Sequence, residues 1–323
     1  MASPNLDEIT TTTLRNRRGK LADNMSKNVA LFYFLRKRGN MDPVDGGRTI
    51  VEELEYAENS TYKRYTGYEV LNIIPSDVFT AAEFNYAQAA VAVSISGLER
   101  LQNSGRNAII NLLASRIKNA EKTMVNNIAS DIYSDGTADG GRQIGGLQLI
   151  VADTVTSGTV GGIDRATWTF WRNVSFDATT DGGAAMTAAN VQQYMNRVYI
   201  QIVRNTDKPD LIVADNAYYR LYLESLQAIQ RITSDEMASA GFTSLKYMDA
   251  DVVLDGGKGG FCPANHMYFL NTEYIHWRPH QDMNMDPIEP DRFSVNQHAM
   301  VKLIGFAGNM TVSNASLQAV LKD

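Results

Sequence analysis

The longest run of regularly spaced apolar residues lies between Ser96 and Ser134. Leu98, Leu101, Ile109, Leu112, Leu113, Ile117, Met124, Ile128 and Ile132 recur mostly at intervals of three or four, with polar side chains between them. That spacing lines one face of an α-helix. Ser96-Gly97-Leu98-Glu99 forms a capping box, in which the serine hydroxyl accepts an orphan N–H and the glutamate turns back to the cap's own amide. Gly105 interrupts the pattern and Asp135-Gly136 closes it. The pattern predicts a helix over 97–134, roughly 55 Å long. No single small domain covers such a length, so the helix is expected to need neighbours.

Upstream, Val29, Phe32 and Leu35 predict a short helix from a Ser26 cap to Arg38, with the basic Arg36-Lys37-Arg38 at its C-terminal end and Gly39 as its stop. Thr49 to Ala57 and Thr61 to Ile74 read as two β-rich runs turning at Asn59-Ser60, with Tyr62, Lys63, Arg64, Tyr65 and Tyr68 near the tip. An isolated hairpin is marginal in water, and this one lacks a clean apolar face. It is therefore expected to lie on something else. Alternating apolar positions predict a strand from Phe84 to Ile95 leading into the long helix. A strand is expected at Leu147 to Val151, whereas the aromatic stretch holding Trp168, Phe170, Trp171 and Phe176 follows no single period.

From 187 the pattern becomes a strand-and-helix module. Ala188 to Arg204 is helical, Leu211 to Val213 is a buried strand, and Asp215 caps a helix running to Arg231. Tyr247 to Leu254 and Met267 to Trp277 are expected to extend its sheet. The chain closes on strand-like runs at Val301 to Phe306, Met310 to Val312 and Leu317 to Leu321, and no period of 20 to 50 residues repeats.

Composition narrows the function. At 323 residues, 44% hydrophobic and 20% charged, the chain can bury a sizeable core. A net charge of -6 argues against a dedicated nucleic-acid reader. One cysteine, Cys262, excludes an internal disulfide, and no signal peptide is expected from the polar, Thr-rich start. No apolar run approaches the ~20 residues of a membrane span, so a soluble protein is expected. Charge is also segmented: residues 1–40 hold eight Lys or Arg against three acids, and residues 41–83 hold three against nine. Adjacent segments of opposite sign suggest contact, within one chain or between copies.

Chemical motifs are few. The loop Asp255-Gly256-Gly257-Lys258-Gly259-Gly260 lacks the hydroxyl residue that follows the lysine of a phosphate-binding loop. His276 and His280 are four apart, but Pro279 intervenes and the preceding run is a strand. Asp282, Asp286, Glu289 and Asp291 cluster without calcium-loop spacing. Ser96 is explained as a cap, and Cys262 has no nucleophile signature. No catalytic group, metal site or cofactor is expected.

Taken in order, these parts resemble a tailed-phage major capsid protein of the Hong Kong 97-type fold. The resemblance rests on Gly46-Gly47-Arg48 leading into an acidic β arm, the strand at 84–95 and the helix start Ser96-Gly97-Leu98-Glu99-Arg100-Leu101. It continues in Ile132-Tyr133-Ser134-Asp135-Gly136-Thr137, Pro209-Asp210-Leu211-Ile212-Val213 and the ending Gly308-Asn309-Met310-Thr311-Val312-Ser313-Asn314. It implies an α+β fold with an N-terminal arm and short helix at 1–45 and an extended β-hairpin loop at 46–82. A peripheral domain follows at 83–186 and about 285–323, built on the spine helix 97–134, with an axial domain at 187–284.

The resemblance further implies pentamers and hexamers in an icosahedral shell around double-stranded DNA, located in the virion and assembled in host cytoplasm. A separate scaffold protein is expected, because the residues before the extended loop leave no room for a scaffolding domain; portal and decoration proteins are further expected partners. Candidate contacts between subunits are Tyr62, Lys63, Arg64, Tyr65 and Tyr68 at the tip, Glu52, Glu53 and Glu55 on the acidic arm, and Arg36, Lys37 and Arg38. Lys63 stands where some members place a cross-linking lysine, but Ala299 to Val312 contains no acid, so no isopeptide bond is expected. An encapsulin-like compartment shell and a cytosolic α/β enzyme using Asp215 or the 255–260 loop are the alternatives.

Overall fold

A computed structural model describes residues 29–97, 106–226, 244–256, 260–293 and 299–323. Helix α1, Ala30–Arg38, buries Leu31, Phe32 and Leu35 and ends at Gly39, whose φ of 81° is one that glycine adopts without steric cost. Its N-cap is Val29, in place of the expected Ser26, which lies outside the described residues.

Strand β1, Ile50–Glu55, pairs antiparallel with β2, Phe79–Phe84, in the register Ile50↔Phe84 to Glu55↔Phe79. The second strand of the arm is therefore not at Thr61–Ile74. Those residues are rich in β-formers, but strand preference reflects packing on a half-buried surface, and residues 62–75 are exposed throughout. Ala82 and Phe84 are buried and fix β2 instead. The expected turn is present, with the Asn59 side chain accepting from the Thr61 N–H at 2.9 Å.

Strand β3, Ala87–Ser96, precedes the long helix α2, described over Arg106–Asp131, 26 residues and roughly 39 Å. Ile117, Met124, Ile128 and Ile132 are buried as their spacing requires, and Ala120, Val125 and Ala129 complete the stripe. This part of the helix is covered by its own chain; Leu98, Glu99 and Gly105 lie outside the described residues. The run expected as a strand at Leu147–Val151 is one helical turn, α3, Leu147–Ile150. A short apolar run fits either form. Here Leu147 donates to the Ile132 carbonyl at 2.6 Å, and Gly146 lies so close that a Cβ on it would stand 2.4 Å from the Asp131 and Ile132 oxygens.

The chain continues through a small hairpin, β4 Thr159–Val160 and β5 Ile163–Asp164, then β6, Val174–Asp177, and α4, Val191–Ile202. Strand β7, Leu211–Ala214, leads into α5, Asn216–Ser225, capped by Asp215 as expected; Arg231 lies outside the described residues. Strands β8, Ser244–Tyr247, and β9, Ala250–Leu254, split the single run expected at 247–254, turning through Met248 at φ 51°. The expected strand at 267–277 also divides. It gives β10, His266–Leu270, and the start of β11, Ile275–Phe293, on either side of a turn at Thr272–Tyr274. Strand β12, Ala299–Val312, merges two expected runs, and β13, Ala319–Lys322, ends the chain.

A six-stranded sheet in the order β6-β13-β10-β7-β9-β8 is the wall between two cores. Leu211 and Val213 face the core containing α1, α2 and a three-stranded sheet, β11-β12-β3. Ile212 and Ala214 face the core that holds Met195 and Val198 of α4 and Tyr218 and Tyr222 of α5. Burial on both faces explains why β7 is continuously apolar rather than alternating. Strands β6 and β13 share this sheet with β7 to β10, across the expected boundaries at 186 and about 285, because β13 pairs in parallel with β6.

Candidate assembly interface

The root of the β1–β2 arm is fixed to the body by charge. Arg278 on β11 donates to Glu52 at 2.9 Å and to Asp42 at 3.2 Å, and Thr311 on β12 donates to the same glutamate at 2.7 Å. Burial alone would raise the Glu52 carboxyl, but the bonds from Arg278 and Thr311 and the Arg278 charge hold it below its ordinary value. Neighbouring His276 is lowered, chiefly by burial. The segment after α1 runs beside β11: Trp277 donates to the Asn40 carbonyl at 2.9 Å, and Val44 to that of Pro279 at 2.8 Å. Asn40 caps this seam, its amide donating to the carbonyls of Thr272 and Glu273, each at 2.9 Å.

Of the expected contact residues, Glu52 is thus buried and engaged within its own chain. Arg38 is also engaged, bonding Asp210 at 2.8 Å, while Asp210 accepts from the Thr272 N–H at 2.8 Å. Arg36 and Lys37 are exposed on the last turn of α1. Glu53 and Glu55 alternate with the buried positions and point outward on β1. Among the described residues, Arg38 of the basic segment pairs with Asp210, and Asp42 and Glu52 of the acidic segment pair with Arg278.

Beyond the root the arm is bare. Of twelve exposed large apolar side chains among the described residues, nine lie between Val51 and Phe79: Val51, Tyr62, Tyr65, Tyr68, Val70 and, after these, Leu71, Ile73, Ile74 and Phe79. Tyr62 and Tyr65 are 79% and 60% exposed, and Val70 and Ile73 both 89%. Lys63 pairs with Glu69 at 2.8 Å. The apolar group at 70–74 was hidden in the sequence because it reads as strand interior; its signal was the loss of alternation in Val70-Leu71-Asn72-Ile73-Ile74. Contiguous exposed apolar surface of this kind marks an interaction site.

The positions considered for catalysis are otherwise occupied. Asp215 accepts from the N–H groups of Tyr218 and Asn265, both at 2.9 Å. Asp255, raised by burial, accepts a hydrogen bond from buried Tyr133 and another from the Phe261 N–H at 3.3 Å; residues 257–259 lie outside the described ones. His276 lies 3.3 Å from the Ser313 hydroxyl, and His280 accepts from the Asp282 N–H at 3.1 Å. Burial pushes the Cys262 thiol well up, away from thiolate chemistry. Among the described residues no group of three or more His, Cys, Asp or Glu is placed to hold a metal, and no helix is long and apolar enough to cross a membrane.

No family model and no curated protein sequence matches the chain. Solved structures do. A chain of the cyanophage A-1(L) capsid asymmetric unit superposes with a TM-score of 0.65 at 18% identity, covering 87% of this chain and 89% of that one. The chain has a phage capsid fold of the Hong Kong 97 type. The capsid of an empty GTA particle matches at a TM-score of 0.59 and 11% identity, over 88% of each chain. The satellite phage P4 procapsid, which includes a size determination (Sid) protein, matches at 0.50 and 12%, covering 100% of this chain and 92% of that one. Among the described residues, most of the exposed large apolar side chains lie on the arm.

Proposed function

We propose that the chain is a major capsid protein, a structural subunit that self-assembles into pentamers and hexamers of an icosahedral phage head enclosing double-stranded DNA. The observation that carries this reading is the arm: nine large apolar side chains exposed between 51 and 79, most of them in the segment that joins β1 to β2, above a root that Arg278 ties to the body. Such a surface gains free energy only when another molecule covers it. In this reading α2 belongs to the peripheral domain and the six-stranded sheet to the axial domain. Tyr62, Arg64, Tyr65 and Tyr68 meet a neighbouring subunit, and the net charge of -6 keeps the shell from gripping DNA during packaging. A scaffold protein, a portal and decoration proteins are its expected partners, and assembly takes place in host cytoplasm.

Negative-stain microscopy of the purified chain, alone and with a co-expressed scaffold, tests the proposal. Closed shells or isolated pentamers and hexamers are expected. Shells filled with an enzyme cargo and free of DNA would move the assignment to an encapsulin-like compartment. A monomer that stays dispersed at high concentration and binds a small ligand saturably would replace it with an enzyme.

A further inference from the structure

The root of the arm carries a cleft of about 590 Å³ between β2, the β4–β5 hairpin and the segment around Trp168. Its walls are four rings, Tyr56, Phe79, Trp168 and Phe170, and two carboxylates, Asp77 and Glu83. Three of the rings form one cluster, with centroids 5.4 Å apart for Tyr56 and Phe170, 5.9 Å for Tyr56 and Trp168, and 6.0 Å for Trp168 and Phe170. Trp168 is nonetheless 47% exposed and Phe79 72%. The base is stiff. Glu83 donates its N–H to the Gly161 carbonyl at 2.9 Å, and Gly161, at φ 56°, approaches β2 so closely that a Cβ would stand 2.8 Å from that of Ala82.

The cleft is acidic as well as aromatic. Among the described residues no cation pairs with Asp77 or Glu83, and Glu83 accepts only a long 3.5 Å bond from the Thr49 hydroxyl. The register of β1 on β2 places Glu53 opposite Ala81 and Glu55 opposite Phe79 on the same outward face, extending the negative surface past the cleft. Carboxylates beside open aromatic faces form a site for a guanidinium or ammonium group, which both attract. The complement lies at the other end of the arm. Arg64 stands between exposed Tyr62 and Tyr65 and, unlike Lys63, forms no ion pair among the described residues.

We infer that this cleft is the acceptor for the arm tip of a second copy of the chain, with Arg64 seated against the ring cluster and paired with Glu83. The inference rests on the assembly role proposed above and gives that role a specific address. In the structure the tip is exposed, so its own cleft does not shelter it. Tip and cleft are different patches of one molecule. The contact is therefore heterologous, passing from each copy to the next, and such contacts close into rings when the rotation allows. Arginine with tyrosine and tryptophan is also the composition of interface anchors.

Charge exchange tests the pairing. Arg64→Glu and Glu83→Arg alter exposed side chains, so each variant should unfold at the native melting temperature while losing assembled rings and shells. The double variant should restore them. An Arg64→Glu chain that assembles as the native one does, or a double variant as dispersed as the singles, overturns the assignment. A mixture of Arg64→Cys and Ala81→Cys chains should give disulfide-linked pairs on mild oxidation, and their absence would also overturn it. Removing residues 57–77 separates the two levels: if that deletion abolishes shells while Arg64→Glu does not, the arm keeps its role and this acceptor is wrong. If the deletion itself assembles, the assembly role of the arm fails.

Discussion

Glu52 shows how one residue changes meaning between sequence and structure. It reads as one of several surface acids, yet its position on β1 turns it inward against Arg278 and Thr311. Removing Arg278 leaves a buried carboxylate without its counter-ion, so Arg278→Ala should cost roughly 2–4 kcal/mol in denaturant unfolding of the unassembled subunit. The folded Glu52 carboxyl titrates below its ordinary 4.5, so its stabilisation is complete above that value and is lost as pH falls through the lower folded value. Glu52→Gln should accordingly flatten the acid limb of the stability profile. His266 has the opposite sign. Burial alone would lower it, but its bonds to Asp153, at 3.1 Å, and to the Ala264 carbonyl, at 2.7 Å, raise it above 6.5 despite nearby Lys322. Its contribution is complete below 6.5 and lost as pH rises through the higher folded value. The stability gap between the native chain and His266→Asn should therefore narrow from about pH 5 to about pH 8, as thermal melting can follow.

Among the elements, those whose apolar period is long kept their buried stripes over the described residues. Helix α4 buries Val191, Met195, Val198 and Ile202 at the expected spacing, and α5 begins where Asp215 caps it. That cap also holds the Asn265 N–H, so Asp215→Ala should cost roughly 1–3 kcal/mol, seen as an earlier loss of helical circular dichroism. Short or two-sided runs did not fix their own form. Leu147 to Ile150 became a helical turn because Gly146 and Leu147 dock on the end of α2, a contact 15 residues back from Leu147 to Ile132. Strand β2 displaced Thr61–Ile74 as the partner of β1 because only Phe79–Phe84 can bury Ala82 and Phe84 while keeping the register. Legibility thus tracked how much of an element's burial is decided locally.

At the scale of the molecule, the arm divides into a root that belongs to the core and a tip that does not. From the sequence, removing Gly46 to Pro75 should leave a foldable, unassembled subunit. The structure narrows that experiment, because Ile50, Glu52 and Leu54 are buried in the body. Deleting 46–75 should instead unfold the root. Removing only residues 57–77 and bridging the gap with a few glycines should leave a cooperative, near-native melt and a subunit that sediments without forming shells. Analytical ultracentrifugation with a parallel melting curve distinguishes the two. The candidate interface was half legible: Tyr62, Arg64, Tyr65 and Tyr68 announced the tip, whereas Trp168 and Phe170 gave no sign that they would stand beside Tyr56, more than 100 residues earlier.

The sequence by itself determined the long amphipathic helix over its described residues, the strand-and-helix module after 187 and the presence of an arm with no core of its own. Each of these depends on periodicity, capping or composition, which act over a few neighbouring residues. Only the tertiary structure decided which strand completes the arm, how 174–177 and 319–322 join one sheet, and which charges are spent within the subunit. Those outcomes depend on which surfaces distant segments bury against each other, and a linear pattern does not encode that choice locally.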